Sequence, residues 1–172
     1  MRWPWKRGQD DEDPYWAAFI HRPPAQPDNL ITHAFSRVQP GGVHPVRSAV
    51  HSPGVMTAHI KELSRFYGAD RVAVVECAEG AELPFAIVCA LRSEYDTRHA
   101  LGIGGQAPAM KGLFVSFNLV AYIKELGYRA SRTSEDAERL ALVAGIGQHG
   151  PELHIADVVY TDLPLEPERR DT

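Results

Sequence analysis

The sequence predicts one α/β or α+β domain in which a mixed central sheet is flanked by helices. Three apolar, β-branched runs, at residues 71–77, 84–91 and 155–160, have the continuous character of strands covered on both faces. Between and around them, apolar residues recur at helical spacing, and the resulting order is helix, strand, strand, helix, strand, helix, strand. A chain of 172 residues that is 44% hydrophobic can bury one core and is short for two.

Residues 1–52 precede that pattern as an irregular arm. Pro4, Pro14, Pro23, Pro24, Pro27, Pro40 and Pro45, with Gly41 and Gly42, remove backbone donors and disfavour long helices and central strands. Trp3, Trp5, Tyr15, Trp16, Phe19 and Phe35 are costly to leave exposed together. The arm is therefore expected to be ordered by contact, wrapping the domain or joining a second copy in a homodimer.

The domain proper spans 53–167. Met56, Ile60, Leu63, Phe66 and Tyr67 mark one helical face that Gly68 ends, and the strand at 71–77 follows. Residues 79–82 turn the chain into the strand at 84–91. All three apolar runs are expected to be interior strands. Immediately after the second comes a titratable cluster, Arg92, Glu94, Tyr95, Asp96, Arg98 and His99, placed where α/β sheets gather ligands. A loop with Gly102, Gly104, Gly105 and Pro108 leads to a mostly apolar helix from Met110, closed by Gly127. Residues 128–130 form a brief strand. Thr133 with Asp136 then matches a capping box, starting the last helix near Ser134. Residues 168–172 read as a mobile tail.

Gly145, Gly147 and Gly150 spell G-x-G-x-x-G, but the dinucleotide fingerprint needs a strand before the glycines and a helix after them. Here a helical pattern precedes and a strand follows, so the glycines read as a helix C-cap and turn. The net charge of −4 gives no general attraction to nucleic acid or anionic membrane. Cys77 and Cys89 lie in apolar runs without a C-x-x-C partner, which excludes an iron–sulfur cluster or thiolate metal site built on them. His44, His51 and His59 lack the short spacing that presents two imidazoles together, so no metal site is expected. No serine sits in a G-x-S-x-G elbow. The N-terminus has no apolar leader core and no stretch suits a membrane span, so a cytoplasmic location is expected.

Three segments in order resemble one family. Residues 60–72, IKELSRFYGADRV, resemble its helix followed by G-A-D-x-V. Residues 121–130, AYIKELGYRA, resemble F-I-R-x-L-G-Y-x-A, and AGIG at 144–147 with TDLPLEP at 161–167 resembles A-G-L-G … T-D-L-P-L. The family is the cobalamin-dependent reductive dehalogenases with their relatives, the epoxyqueuosine reductases. The likeness covers roughly 56–167. It implies a nitroreductase-like α/β domain holding a corrin beside the sheet, in enzymes where reduced cobalt removes a halide or oxygen function and a nearby acid supplies a proton.

Three departures weigh against that chemistry. The family's cysteine-rich ferredoxin-like segment would begin after Pro167, so electrons are expected to come from a separate ferredoxin or flavoprotein, if at all. Its tyrosine proton donor lies in a G-Y-S-x-M-like segment that this chain replaces with GQAPAM at 105–110. Its basic loop before the last strand is represented by QHGPEL at 148–153, without arginine. The cofactor-binding residues expected are Arg92, Glu94, Tyr95, Gly104, Gly105, Met110, Gly145, Gly147 and His149. Tyr95, His99 and Asp96 are acids by residue type that a reductase would draw on. The expectation is a corrinoid (cobalamin)-binding or corrinoid-handling protein without self-contained catalysis. The competing readings are a cobalamin-dependent reductase fed by an external electron donor, and a structural or assembly protein with a degenerate pocket.

Overall fold

The structure, a computed structural model, describes residues 13–168. Trp3, Trp5 and the tail beyond Glu168 lie outside them.

Five strands form one sheet: β1 (Arg71–Glu76), β2 (Phe85–Arg92), β3 (Ala130–Thr133), β4 (Leu153–Ile155) and β5 (Val158–Thr161). Their order is β1-β2-β5-β3, with β4 also paired to β2. All four ladders are antiparallel, which corrects the expectation of a mixed sheet. Helix α3 (Pro53–Phe66) and helix α4 (Ala107–Glu125) pack on one face, and helix α5 (Ala137–Val143) on the other.

This double cover explains the unbroken apolar runs. Ile87, Cys89 and Leu91 of β2 face Ile60, Leu119 and Ile123, whereas Ala86, Val88 and Ala90 face Leu140 and Ala141. Both faces of β2 are thus interior, so neither needs polar residues. Strand β1 has the same composition but lies at the sheet edge, which corrects its assignment as interior. Its residues Val72 to Val74 are buried on both faces, and Glu168 N–H donates to Val74 O at 3.2 Å along the edge. Side-chain composition reports face burial and says nothing of which backbone edge is paired.

The run at 155–160 is two strands separated by a bulge. Ala90 pairs with Ile155 and Ile87 with Val159, so Val88 and Cys89 oppose the three residues Ala156, Asp157 and Val158. The surplus residue steps the backbone and sends Asp157 toward Arg132 on β3.

Helix ends follow the glycine signals. Gly68, Gly127 and Gly145 have φ of 111°, 82° and 68°, the left-handed conformation that closes a helix. The Thr133 capping box does not form. Thr133 Oγ1 instead accepts from Glu135 N–H at 3.1 Å, and α5 begins three residues later than expected, after Asp136 at φ 61°.

The arm contains two short helices that its prolines obscured, α1 (Pro14–His21) and α2 (Ile31–Ser36). Asp13 followed by Pro14 is a start signal legible in the sequence: the Asp13 carboxylate accepts from Tyr15 N–H at 2.9 Å. Described residues of the arm dock on the domain at several points. His44 N–H and Ser48 N–H donate to Lys124 O and Leu126 O, each at 2.8 Å, so the arm backbone supplies donors to carbonyls at the end of α4. Tyr128 donates its hydroxyl to Ser48 O at 2.7 Å, and the Arg47 guanidinium lies 4.6 Å from the centre of its ring.

Gly127 is where that docking is tightest. A Cβ there would stand 2.4 Å from Val46 O, in addition to the strained φ. We predict that Gly127→Ala costs about 2 kcal/mol, the left-handed penalty plus a partial displacement of the arm. Urea denaturation checks this; an unchanged midpoint would contradict it.

Candidate functional site

A groove of about 1230 Å³ opens at the end of β2. Arg92, Ser93, Glu94 and Tyr95 form one wall as the chain leaves that strand. Asp70 and Arg71 enter from the start of β1, Gly104, Ala107, Pro108 and Lys111 from the beginning of α4, and Gln148, Gly150, Pro151 and Glu152 from the loop before β4 with Leu153 at its start. The volume exceeds the 300–1,000 Å³ usual for drug-sized ligands.

The framework of the wall is built from short-range bonds. Asp70 accepts the Arg92 N–H at 2.7 Å while its own N–H donates to Ala90 O at 2.9 Å, which pins the end of β2 to the start of β1. This is the structural work of the aspartate in G-A-D. Ser93 Oγ accepts from Tyr95 N–H at 3.2 Å and donates to Tyr95 O, folding the turn that presents Tyr95. The Tyr95 ring meets His21 of α1 edge to face, with centroids 6.4 Å apart. Arg71 donates to Ile146 O at 2.6 Å and so ties the glycine turn after α5 to the groove.

Charges of both signs are interleaved. Arg71, Arg92 and Lys111 lie among Asp70, Glu94 and Glu152. Such a wall offers hydrogen-bond donors and acceptors to a polar periphery without a field that selects one sign of ligand.

The structure brings Arg92, Glu94, Tyr95 and Gly104 together in the groove and leaves the other expected residues outside it. Gly104 and Gly105 are small for a different reason from the one anticipated. A Cβ on Gly104 would meet the Phe19 ring at 2.4 Å, and one on Gly105 would meet Ala100 O at 2.4 Å and Ile20 O at 2.7 Å. The glycine loop is therefore a seat for α1, and Gly102 N–H fastens to Ile20 O at 2.7 Å. Met110 precedes Lys111 on α4 without lining the groove, and Gly145 and Gly147 serve the turn that Arg71 holds.

The three candidate acids separate. Asp96 is chelated by Arg98, which donates from Nε at 3.0 Å, Nη2 at 2.8 Å and the backbone at 3.0 Å. Those bonds hold the carboxyl well below the usual range, so Asp96 is an anion and carries no proton to give. His99 is 82% exposed, paired with the same carboxylate at 3.4 Å, and does not line the groove. Tyr95 alone of the three lines it.

His149 turns away into a second, smaller cavity of about 430 Å³ between α2, α4 and α5. Its Nδ1 accepts from Ile155 N–H at 3.3 Å, so in the neutral ring the proton is on Nε2, 2.9 Å from Thr97 Oγ1. Burial, and then Arg98, push its pKa below the usual value. The ring of His154 packs against it edge to face at 4.8 Å. Among the described residues no cluster of three or more histidine, cysteine, aspartate or glutamate residues is arranged to hold a metal ion, and no helix is long and apolar enough to cross a membrane.

No protein-family model and no curated protein matches the chain. Solved structures do. A reductive dehalogenase whose structure suggests a mechanism for B12-dependent dehalogenation superposes with a TM-score of 0.67 at 20% identity, over 80% of this chain and 24% of that one. The catabolic reductive dehalogenase NpRdhA superposes with a TM-score of 0.64 at 20% identity, over 87% of this chain and 27% of that one. NpRdhA in complex with 3-bromo-4-hydroxybenzoic acid gives 0.64 at 21% identity. The chain thus spans about a quarter of the length of these proteins, and at this identity the likeness establishes a shared fold.

Proposed function

We propose that the chain is a corrinoid-binding or corrinoid-handling protein that takes cobalamin in the groove at the end of β2. The observation that carries this reading is the groove itself: about 1230 Å³, larger than drug-sized ligands need, in a fold shared with a B12-dependent dehalogenase. Its residues suit such a guest. Arg92, Lys111 and Ser93 can donate to the carbonyls of a corrin's amide arms, while Glu94 and Glu152 can accept from their N–H groups. Ala107 and Pro108 supply a small apolar step against which a flat face can lie.

When bound, cobalamin supplies reductive cobalt chemistry. What this chain contributes is positioning, a rim of alternating donors and acceptors, and at Tyr95 one phenolic proton on the wall. The glycine loop contributes indirectly, since Gly104 and Gly105 let α1 close over that side of the groove.

Equilibrium dialysis against cobalamin, read by its visible absorbance, tests the proposal. The expected result is one retained equivalent, and Ala107→Trp, which fills the floor of the groove, should weaken retention by about tenfold or more. Absence of retention by the folded protein would transfer the groove to another ligand and leave the assembly reading.

A further inference from the structure

The smaller cavity is a separate feature from the groove. One wall is α2 of the arm, with Leu30 and His33, and the opposite wall is Ala109 and Leu113 of α4, so the space exists only because the arm folds back. Asp157, sent there by the β-bulge, and Glu138 of α5 also line it. Among the described residues no lysine or arginine does. Behind Asp157 lies Arg132, but its Nη1 comes no closer than 3.5 Å and its Nη2 is shared among Phe35 O, Ser36 O and Val38 O. The remaining charges facing the site are matched elsewhere: Arg98 with Asp96, and Asp28 with both His33 and Arg37.

His154 completes the arrangement. Its Nδ1 is buried without a hydrogen-bond partner, and its ring fits against α4 only because position 112 is glycine, where a Cβ would come within 3.0 Å of Cδ2 and Nε2. Burial, and then His149, keep this imidazole neutral. The cavity therefore combines apolar walls, two carboxylates and three imidazoles, of which His154 is uncharged.

We propose that this cavity is a second ligand site, for a small protonated organic amine with an apolar body. The ammonium donates to the Asp157 carboxylate, whose ion pair with Arg132 is long at 3.5 Å, and the body lies between Leu30, Leu113 and Ile155. An anion would meet two carboxylates. A neutral molecule would leave Asp157 as it is.

Calorimetric titration of the full chain with cyclohexylamine, cyclohexanol and cyclohexanecarboxylate at neutral pH tests this, together with the ring NMR signals of His154. The amine should bind saturably at one equivalent and move those signals, with the alcohol at least about tenfold weaker and the acid without saturable binding. Asp157→Asn should weaken the amine by a similar factor. Because that variant also touches Arg132, Ala109→Trp provides a second test: it fills the cavity without altering charge, and should abolish amine binding while cobalamin retention by the groove stays unchanged. Equal affinity for alcohol and amine, survival of binding in Ala109→Trp, or no saturable binding of the amine would each overturn the proposal.

Discussion

Replacing Arg132 by alanine is expected to cost about 3 kcal/mol and to detach the arm from the domain. The side chain is 2% exposed, and its Nη2 donates to three arm carbonyls, Phe35 O at 3.1 Å, Ser36 O at 3.4 Å and Val38 O at 3.0 Å. It also faces Asp157 at 3.5 Å and Ser116 Oγ at 3.4 Å. Removal leaves a mostly buried carboxylate whose pKa is already raised by burial, and takes the side-chain donor from Ser36 O and Val38 O, while Phe35 O keeps the Val38 N–H. Both losses act together because one group serves both. Chemical denaturation with limited proteolysis between residues 22 and 52 measures the two effects. The double variant Arg132→Ala with Asp157→Asn should recover part of the stability and leave the arm loose, since Ser36 O and Val38 O still lack the guanidinium donor. A loss below about 1 kcal/mol, the value of an exposed ion pair, would mean that Arg132 is not a junction.

Acid should destabilise the fold before its carboxylates titrate. Burial, and then the neighbouring His149, pull His154 from 6.5 down to about 4. In this interval the unfolded chain binds a proton that the folded one refuses, so stability is fully present above about 6.5 and falls as pH drops toward about 4. The gap corresponds to about 3 kcal/mol, and His149, shifted in the same direction, adds to it. Asp157 acts oppositely: its raised pKa means stability present at low pH and lost as pH rises, which offsets part of the trend. The depressed Asp96 adds a further loss only below the ordinary carboxylate range. Urea midpoints at pH 7.5, 5.5 and 4.5 should therefore fall steadily in the native protein and much less in His154→Gln. Parallel profiles for the two proteins would place the sensitivity elsewhere.

What the sequence disclosed was local. Gly68, Gly127 and Gly145 announce helix ends because the left-handed conformation is a property of one residue and its neighbours. The runs of β1 and β2 announce strands because both faces are covered. What it concealed depends on residues far apart. The edge position of β1 is decided by which strand lies beside it, and the seat for α1 at Gly104 requires Phe19, more than eighty positions away. His154 and Asp157 looked like ordinary members of a strand, yet they face a cavity whose other wall is α2. Arg132 carries no motif, and its reach to Val38 is visible only once β3 and the arm are neighbours. One wall of the groove was legible because Arg92, Glu94 and Tyr95 follow directly on a strand end; Lys111 and Glu152, one on a helix and one on a loop, were not.

The bulge at Ala156 and Asp157 bears on how the chain tolerates changes in length. Ile155 and Val158 face α5, while Ala156 and Val159 face α4, although each pair is three residues apart. Deleting Asp157 alone would restore strict alternation, with every remaining core side chain still on its own face. Deleting Ala156 would do the same only if Asp157 turned into the α4 core, where its charge is intolerable. Asp157 is thus the one surplus residue of the strand, dispensable to the ladder but the carboxylate partner of Arg132, so a shortened chain should keep its sheet and leave the Arg132 charge buried without its carboxylate.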